Sequence, residues 1–144
     1  MDAKLALISD AAYTDKSTGK MYVLGIVRYI LARTVPATVE SLAASFTLEE
    51  YTAHVPASGA PLSVFIVNED GGQIGPPSPE MKLKFRKIGP AASTKSEANL
   101  HVNFEQFTVP SFGTFAVLLK NPAGEVLARA EFSVIKQPEP VPAE

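Results

Sequence analysis

The 144-residue sequence contains no cysteine, no tryptophan and only two histidines. The missing thiols exclude disulfides, thiolate metal sites and a cysteine nucleophile, although they do not identify a cellular compartment. A charge excess is also missing, because 13 basic residues and 15 acidic residues leave a net charge of −2. Such a balance provides no general electrostatic attraction to nucleic acid or to an anionic membrane. The sequence thus excludes several chemistries without naming a function.

Long hydrophobic runs are absent as well. No stretch approaches the roughly 18 apolar residues of a membrane span. The first residues include an acid and only a short apolar run before Ser9 and Asp10, unlike a secretion signal. We therefore expect a soluble, cytoplasmic protein that binds no membrane. We expect one domain over residues 1–136, followed by a disordered tail rich in proline and glutamate over 137–144.

The sequence does contain period-two alternation of apolar and polar residues, which is typical of half-buried β-strands. The clearest case is "MKLKFRK" at 81–87, where Met81, Leu83 and Phe85 alternate with basic residues. Residues 113–134 repeat the pattern on both sides of a turn rich in asparagine, proline and glycine. The segment 41–50 has good helix formers, but its apolar residues alternate strictly, so we predict a strand there.

Eight or so such strands, separated by turn signals, predict an all-β fold. We expect an antiparallel two-sheet β-sandwich of about 7–9 strands, immunoglobulin-like or related, with a closed β-barrel as the alternative. Five phenylalanines occupy inward positions of the predicted strands and are expected to fill the core: Phe46, Phe85, Phe104, Phe115 and Phe132.

The segment 20–31 is apolar on both faces of a predicted strand, which indicates the middle of a sheet or an interface. Its second apolar face consists of Tyr22, Leu24, Ile26 and Ile30. This face needs cover from a loop, a tail or another protein, because exposed apolar patches often mark interfaces. Gly25 within the strand predicts a bulge or a close approach by another backbone.

A row of basic residues is the second candidate binding surface. Lys82, Lys84 and Arg86 are expected about 7 Å apart on one sheet face, where they could bind an anionic polymer or an acidic partner. Cations on an edge strand also prevent edge-to-edge aggregation, and no aromatic residues interleave with them to stack on bases. We therefore regard nucleic acid as an unfavoured partner.

Catalytic and metal-binding patterns are weak. "DKSTGK" at 15–20 lacks the spacing of a phosphate-binding loop, and "NEDGG" at 68–72 has too few acids for calcium, so both predict turns. His54 and His101 are not placed for a zinc site or a catalytic triad. Glu49, Glu50, Glu105 and Glu131 could pair for glycoside chemistry, but outward glutamates are usually solvated. We expect no enzyme, no cofactor and no metal.

The N-terminal half carries a recognisable spacing. Ala6, Asp10 and Ala12 fit A-x-x-x-D-x-A, and residues 19–26 fit G-K-x-x-x-x-G-I. With this signature the chain resembles a family of uncharacterised bacterial domains of unknown function. The resemblance implies a β-sandwich and no known activity.

Together these features predict a non-enzymatic protein-interaction or structural domain. We expect it to bind a protein partner or its own copies, as a homo-oligomer in the latter case. A small-ligand or glycan-binding module is the alternative. A structural protein of a phage or mobile element is a further one.

Overall fold

The structure is a computed structural model that describes residues 1–75, 78–89 and 94–138. Within these ranges the chain forms ten β-strands and a short 3₁₀ helix at Thr52–His54. The strands are β1 (Asp2–Thr14), β2 (Met21–Ile26), β3 (Tyr29–Ala32), β4 (Ala37–Tyr51), β5 (Ala60–Val67), β6 (Met81–Leu83), β7 (Arg86–Lys87), β8 (Lys95–Val109), β9 (Gly113–Lys120) and β10 (Val126–Lys136). No helix in the described ranges is long and apolar enough to cross a membrane.

The strands form two sheets of five. The first sheet has the order β2-β1-β4-β8-β7 and the second has the order β3-β10-β9-β5-β6. This architecture confirms the predicted two-sheet, all-β fold class. The pairing is antiparallel except between β3 and β10, which run parallel.

The core lies between the two sheets and follows the predicted alternation. Phe46 from the first sheet and the stacked pair Phe115 and Phe132 from the second are each at most 1% exposed. Burial of one such side chain stabilises the fold by roughly 1.5–3 kcal/mol. Phe85 and Phe104 also pack against the core, but they remain half-buried at its margin.

Two predicted strands are interrupted, which explains why ten strands form where fewer were expected. The segment 81–87 divides into β6, which pairs with β5 in the second sheet, and β7, which pairs with β8 in the first. The segment 20–31 divides in the same way into β2 and β3. In both cases the chain crosses from one sheet to the other, so the prediction of one continuous strand was wrong.

The β1–β2 hairpin folds across the outer face of the first sheet. β1 pairs with β4 only as far as Ser9, and β1 then approaches β8. At the tip, Thr14 Oγ1 lies 3.2 Å from His101 Nδ1 on β8, and Gly19 lies against the Arg86 guanidinium on β7. Ala43 on the outer face of β4 is fully buried although it is outside the core, which indicates that the hairpin covers it.

The turns form where the sequence predicted them. In the β1–β2 turn, Asp15 Oδ1 accepts hydrogen bonds from the Ser17 amide and hydroxyl, both at 2.8 Å. In the turn at 68–72, Asn68 Oδ1 accepts from two backbone amides, those of Asp70 and Gly72. At the other end of the chain, Gln137 N still donates to Ala32 O. Residues 139–144, where a disordered tail was expected, lie outside the described residues.

Candidate interaction surface

Residues 21–32 supply the last strand at one end of each sheet's order, β2 in the first sheet and β3 in the second. Two neighbouring backbone groups show the crossing, because Val27 N donates to Ile8 O of the first sheet at 2.8 Å and Arg28 O accepts from Ser133 N of the second at 3.0 Å. β2 and β3 are thus edge strands, and the expectation that this segment lies in the middle of a sheet was wrong. In the described part of the chain, each of the two strands therefore has a partner strand along one edge only.

Five large apolar side chains of this segment are exposed, together with a neighbour on β10. We call them the apolar edge surface: Tyr22, Leu24, Ile26, Tyr29, Leu31 and Ile135, which are between 40% and 67% exposed. Ile30, which the sequence placed on the same face as Tyr22, instead packs against the core. The crossing at 27–28 reverses the alternation, so the odd-numbered residues of β3 take the outward positions.

The backbone of β3 is open on its outer side. The carbonyls of Arg28 and Ala32 accept hydrogen bonds from Ser133 N and Gln137 N, so the even-numbered residues direct their backbone groups towards β10. In a β-ladder the alternate residues direct theirs to the opposite side. Tyr29 and Leu31 therefore present their N–H and C=O groups at the sheet edge, where β3 has no second partner strand among the described residues.

Gly25 permits a close approach, but a side chain makes it rather than a backbone. Its φ is +68°, and a Cβ at this position would collide with the Asp10 carboxylate. A residue with a side chain would be strained there for both reasons. The glycine thus fits the hairpin at the point where it leaves the first sheet.

An exposed aromatic pair lies nearby and was missed from the sequence. Tyr13 and Tyr22 are directly opposite in the β1–β2 register, and their rings stack with centroids 5.0 Å apart. The predicted turn at 15–20 was the available signal, since a hairpin centred on it brings these two residues together. The two rings extend the apolar edge surface onto β1.

The predicted basic row does not exist as one row. Lys82 lies on β6 in the second sheet, whereas Arg86 lies on β7 in the first sheet, opposite Glu97. Lys84 falls in the link between them. All three are exposed, but the crossing places them on two sheets, so the expectation of a single cationic sheet face was wrong.

The titratable candidates for catalysis are dispersed. His54 is exposed and lies 3.7 Å from Glu50, whereas His101 contacts Thr14. Glu105 is opposite Ser41, eight positions along β4 from Glu49, which is about 26 Å in a strand. Glu131 lies on β10 in the other sheet, 2.8 Å from Arg129. No group of three or more metal-ligating side chains occurs among the described residues.

Most of the chain matches the model of one protein family. A model described as "Family of unknown function (DUF6941)" matches residues 4–135, which is most of the chain. The chain belongs to this family. Membership agrees with the resemblance to uncharacterised domains that the sequence suggested.

Other comparisons with this DUF6941 domain add little. None of the curated proteins matches it. Among solved structures, one match is the Pseudomonas fluorescens alkylpurine DNA glycosylase AlkC bound to DNA containing an abasic site analog. The identity is 22% and the TM-score 0.37, over 74% of this chain and 27% of the glycosylase. The chain thus spans about a quarter of that protein's length, and the likeness carries no argument about function.

Proposed function

We propose that this domain is a non-enzymatic protein-interaction module that associates with a second copy of itself through β3. The observation that carries the proposal is the open backbone edge of β3, lined by the exposed side chains of Tyr29 and Leu31. An edge strand with unpaired backbone groups is a template for pairing with another chain. The segment is also apolar, which favours burial over exposure.

The β3 sequence suits pairing with its own copy. In an antiparallel arrangement about a two-fold axis, Leu31 faces the partner's Leu31, and their backbone groups exchange hydrogen bonds. The same register brings Arg33 opposite the partner's Tyr29, where a guanidinium is attracted to the ring face. Ile135, beside Leu31 in the β10 register, adds apolar area. The second sheet of one copy and the second sheet of the other then form one continuous sheet.

The association is expected to be weak because the edge is short. β3 has only four residues, so the contact falls at the small end of specific interfaces. We expect a dissociation constant on the order of 10–100 µM. Sedimentation equilibrium from about 5 to about 500 µM should then show a monomer–dimer transition.

The decisive variant is Leu31→Pro. Proline removes the amide that faces the open edge and leaves the bonds between β3 and β10 intact, and edge strands tolerate proline on that side. This variant should keep the fold, as judged by circular dichroism, but remain monomeric over the same range. The matched control is Leu24→Lys on β2, a residue of similar exposure, which should dimerise like the wild type.

Two results would refute self-association through β3. One is a wild-type protein that stays monomeric at the highest concentration. The other is a Leu31→Pro variant that dimerises as strongly as the wild type.

A further inference from the structure

A cavity of about 520 Å³ opens between β8 of the first sheet and the β5 side of the second, and its described lining contains no residue of the apolar edge surface. Its volume falls within the range of pockets that hold small molecules. Its apolar lining includes Ile66, Ile74, Val102, Phe104 and Phe107. Except for Ile66, these inward-facing side chains are only half-buried, so the core is incomplete at this place.

The cavity exists because the two sheets do not close on this side. β7 pairs with β8 only at Ser96 and Glu97, so the rest of β8 has no second partner strand in the part of the chain that the structure describes. On the second sheet, β6 pairs only with the first residues of β5. Further along β5, the returning chain takes its place, since Ile74 N donates to Ile66 O at 2.8 Å. The space between these two edges opens to the outside.

The backbone of β8 is shaped around the cavity. Gln106 has a φ of +52°, and no other non-glycine residue among those described has a positive φ. Around it the inward positions change from even to odd numbers, so Phe104 and Phe107 both pack towards the core, with ring centroids 6.3 Å apart. Backbone held in a sparsely populated conformation often occurs at binding sites. In β8 the conformation of Gln106 lets Phe107 face the cavity as a second aromatic ring beside Phe104.

The exposed residues of the lining bear on the kind of ligand. Asn103, Glu105 and Gln106 are exposed residues of the lining, and Glu105 is the single charged residue in its described part. A carboxylate near a bound ligand attracts a cation and repels an anion, although solvent weakens the effect. We propose that the cavity binds an apolar amine, with its hydrocarbon part between Phe104 and Phe107 and its ammonium group beside Glu105.

Displacement of a neutral fluorescent probe tests this site. N-phenyl-1-naphthylamine should gain fluorescence on binding the wild-type protein, and decylamine should displace it at about three- to tenfold lower concentration than decanoate. Glu105→Lys, a substitution at an exposed position, should reverse that order. Val102→Trp should fill the cavity and abolish probe binding, with circular dichroism as the check on its fold.

Two controls separate this site from the apolar edge surface. Leu24→Lys and Leu31→Pro should leave probe binding and the order of the two ligands unchanged. The proposal is overturned if the wild type does not bind the probe, if the edge variants abolish binding, or if Glu105→Lys leaves the preference for decylamine as it was. None of these results depends on whether the domain dimerises.

Discussion

Ser45 and Thr47 lie on the outer face of β4, and they differ in whether the side-chain hydroxyl has a hydrogen-bond partner. Ser45 is fully buried, and its Oγ has no hydrogen-bond partner among the described residues. Thr47, two positions along, donates from Oγ1 to Asn99 Oδ1 at 2.7 Å. A buried hydroxyl without a partner costs free energy, whereas one with a partner contributes about 0.5–1.5 kcal/mol.

We therefore expect opposite results from alanine substitution at the two positions. Ser45→Ala should raise the free energy of unfolding by up to about 1 kcal/mol, because it removes an unpaired polar atom and leaves almost no cavity. Thr47→Ala should lower it by about 1 kcal/mol. Urea unfolding with unchanged slope provides the measurement. A loss of stability in Ser45→Ala would show that its hydroxyl does find a partner.

At the level of single elements, the β1–β2 hairpin provides a test by pH. The hydrogen bonds from Ser17 hold the pKa of Asp15 below its ordinary value of 3.8. As the pH falls, Asp15 is therefore protonated in the unfolded chain before it is protonated in the folded one. Its contribution to stability is complete above the unfolded pKa and is lost as the pH falls through the lower pKa of the folded state. An NMR titration of the Ser17 amide should show a midpoint below 3.8. Asp15→Asn keeps an acceptor oxygen and should remove that titration, whereas a wild-type midpoint at or above 3.8 would contradict the turn geometry.

The hairpin and the two crossings also show what the sequence could predict. Alternation identified the inward residues of 41–50 and 113–134, because burial on one face of a strand dictates it. It could not locate the break in 81–87, since Met81, Leu83 and Phe85 still alternate with exposed cations across the crossing. Which sheet a short strand joins depends on its pairing partner, and this information lies elsewhere in the chain.

The candidate sites were predicted less well for the same reason. Tyr22, Leu24 and Ile26 were identified from local pattern alone as an apolar face in need of cover, and they are exposed. The stacking of Tyr13 on Tyr22 depends on hairpin register, and the cavity beside Phe104 and Phe107 depends on where two sheets fail to close. Both are properties of pairing between distant segments, which a pattern within one segment does not contain.

At the scale of the whole molecule, the two sheets share one core. Phe46 from the first sheet and Phe115 from the second belong to the same buried cluster, and neither sheet has another large core of its own among the described residues. A sheet that lost its partner would expose this apolar face to water, at a cost of about 25 cal/mol for each Å². The two sheets should therefore unfold together.

Matched substitutions in the two sheets test this coupling. Phe46→Leu and Phe115→Leu should each lower the free energy of unfolding by about 1–2 kcal/mol, whereas Phe112→Leu, at a more exposed ring, should change it by less than about 0.5 kcal/mol. Within each variant, the amide NMR signals of β8 and those of β9 should disappear at the same urea concentration as each other. If Phe46→Leu shifted the β8 midpoint and left that of β9 unchanged, each sheet would be stable without the other, and a single shared core would be the wrong description. Coincident shifts in both sheets are expected because each phenylalanine contacts a core to which both contribute.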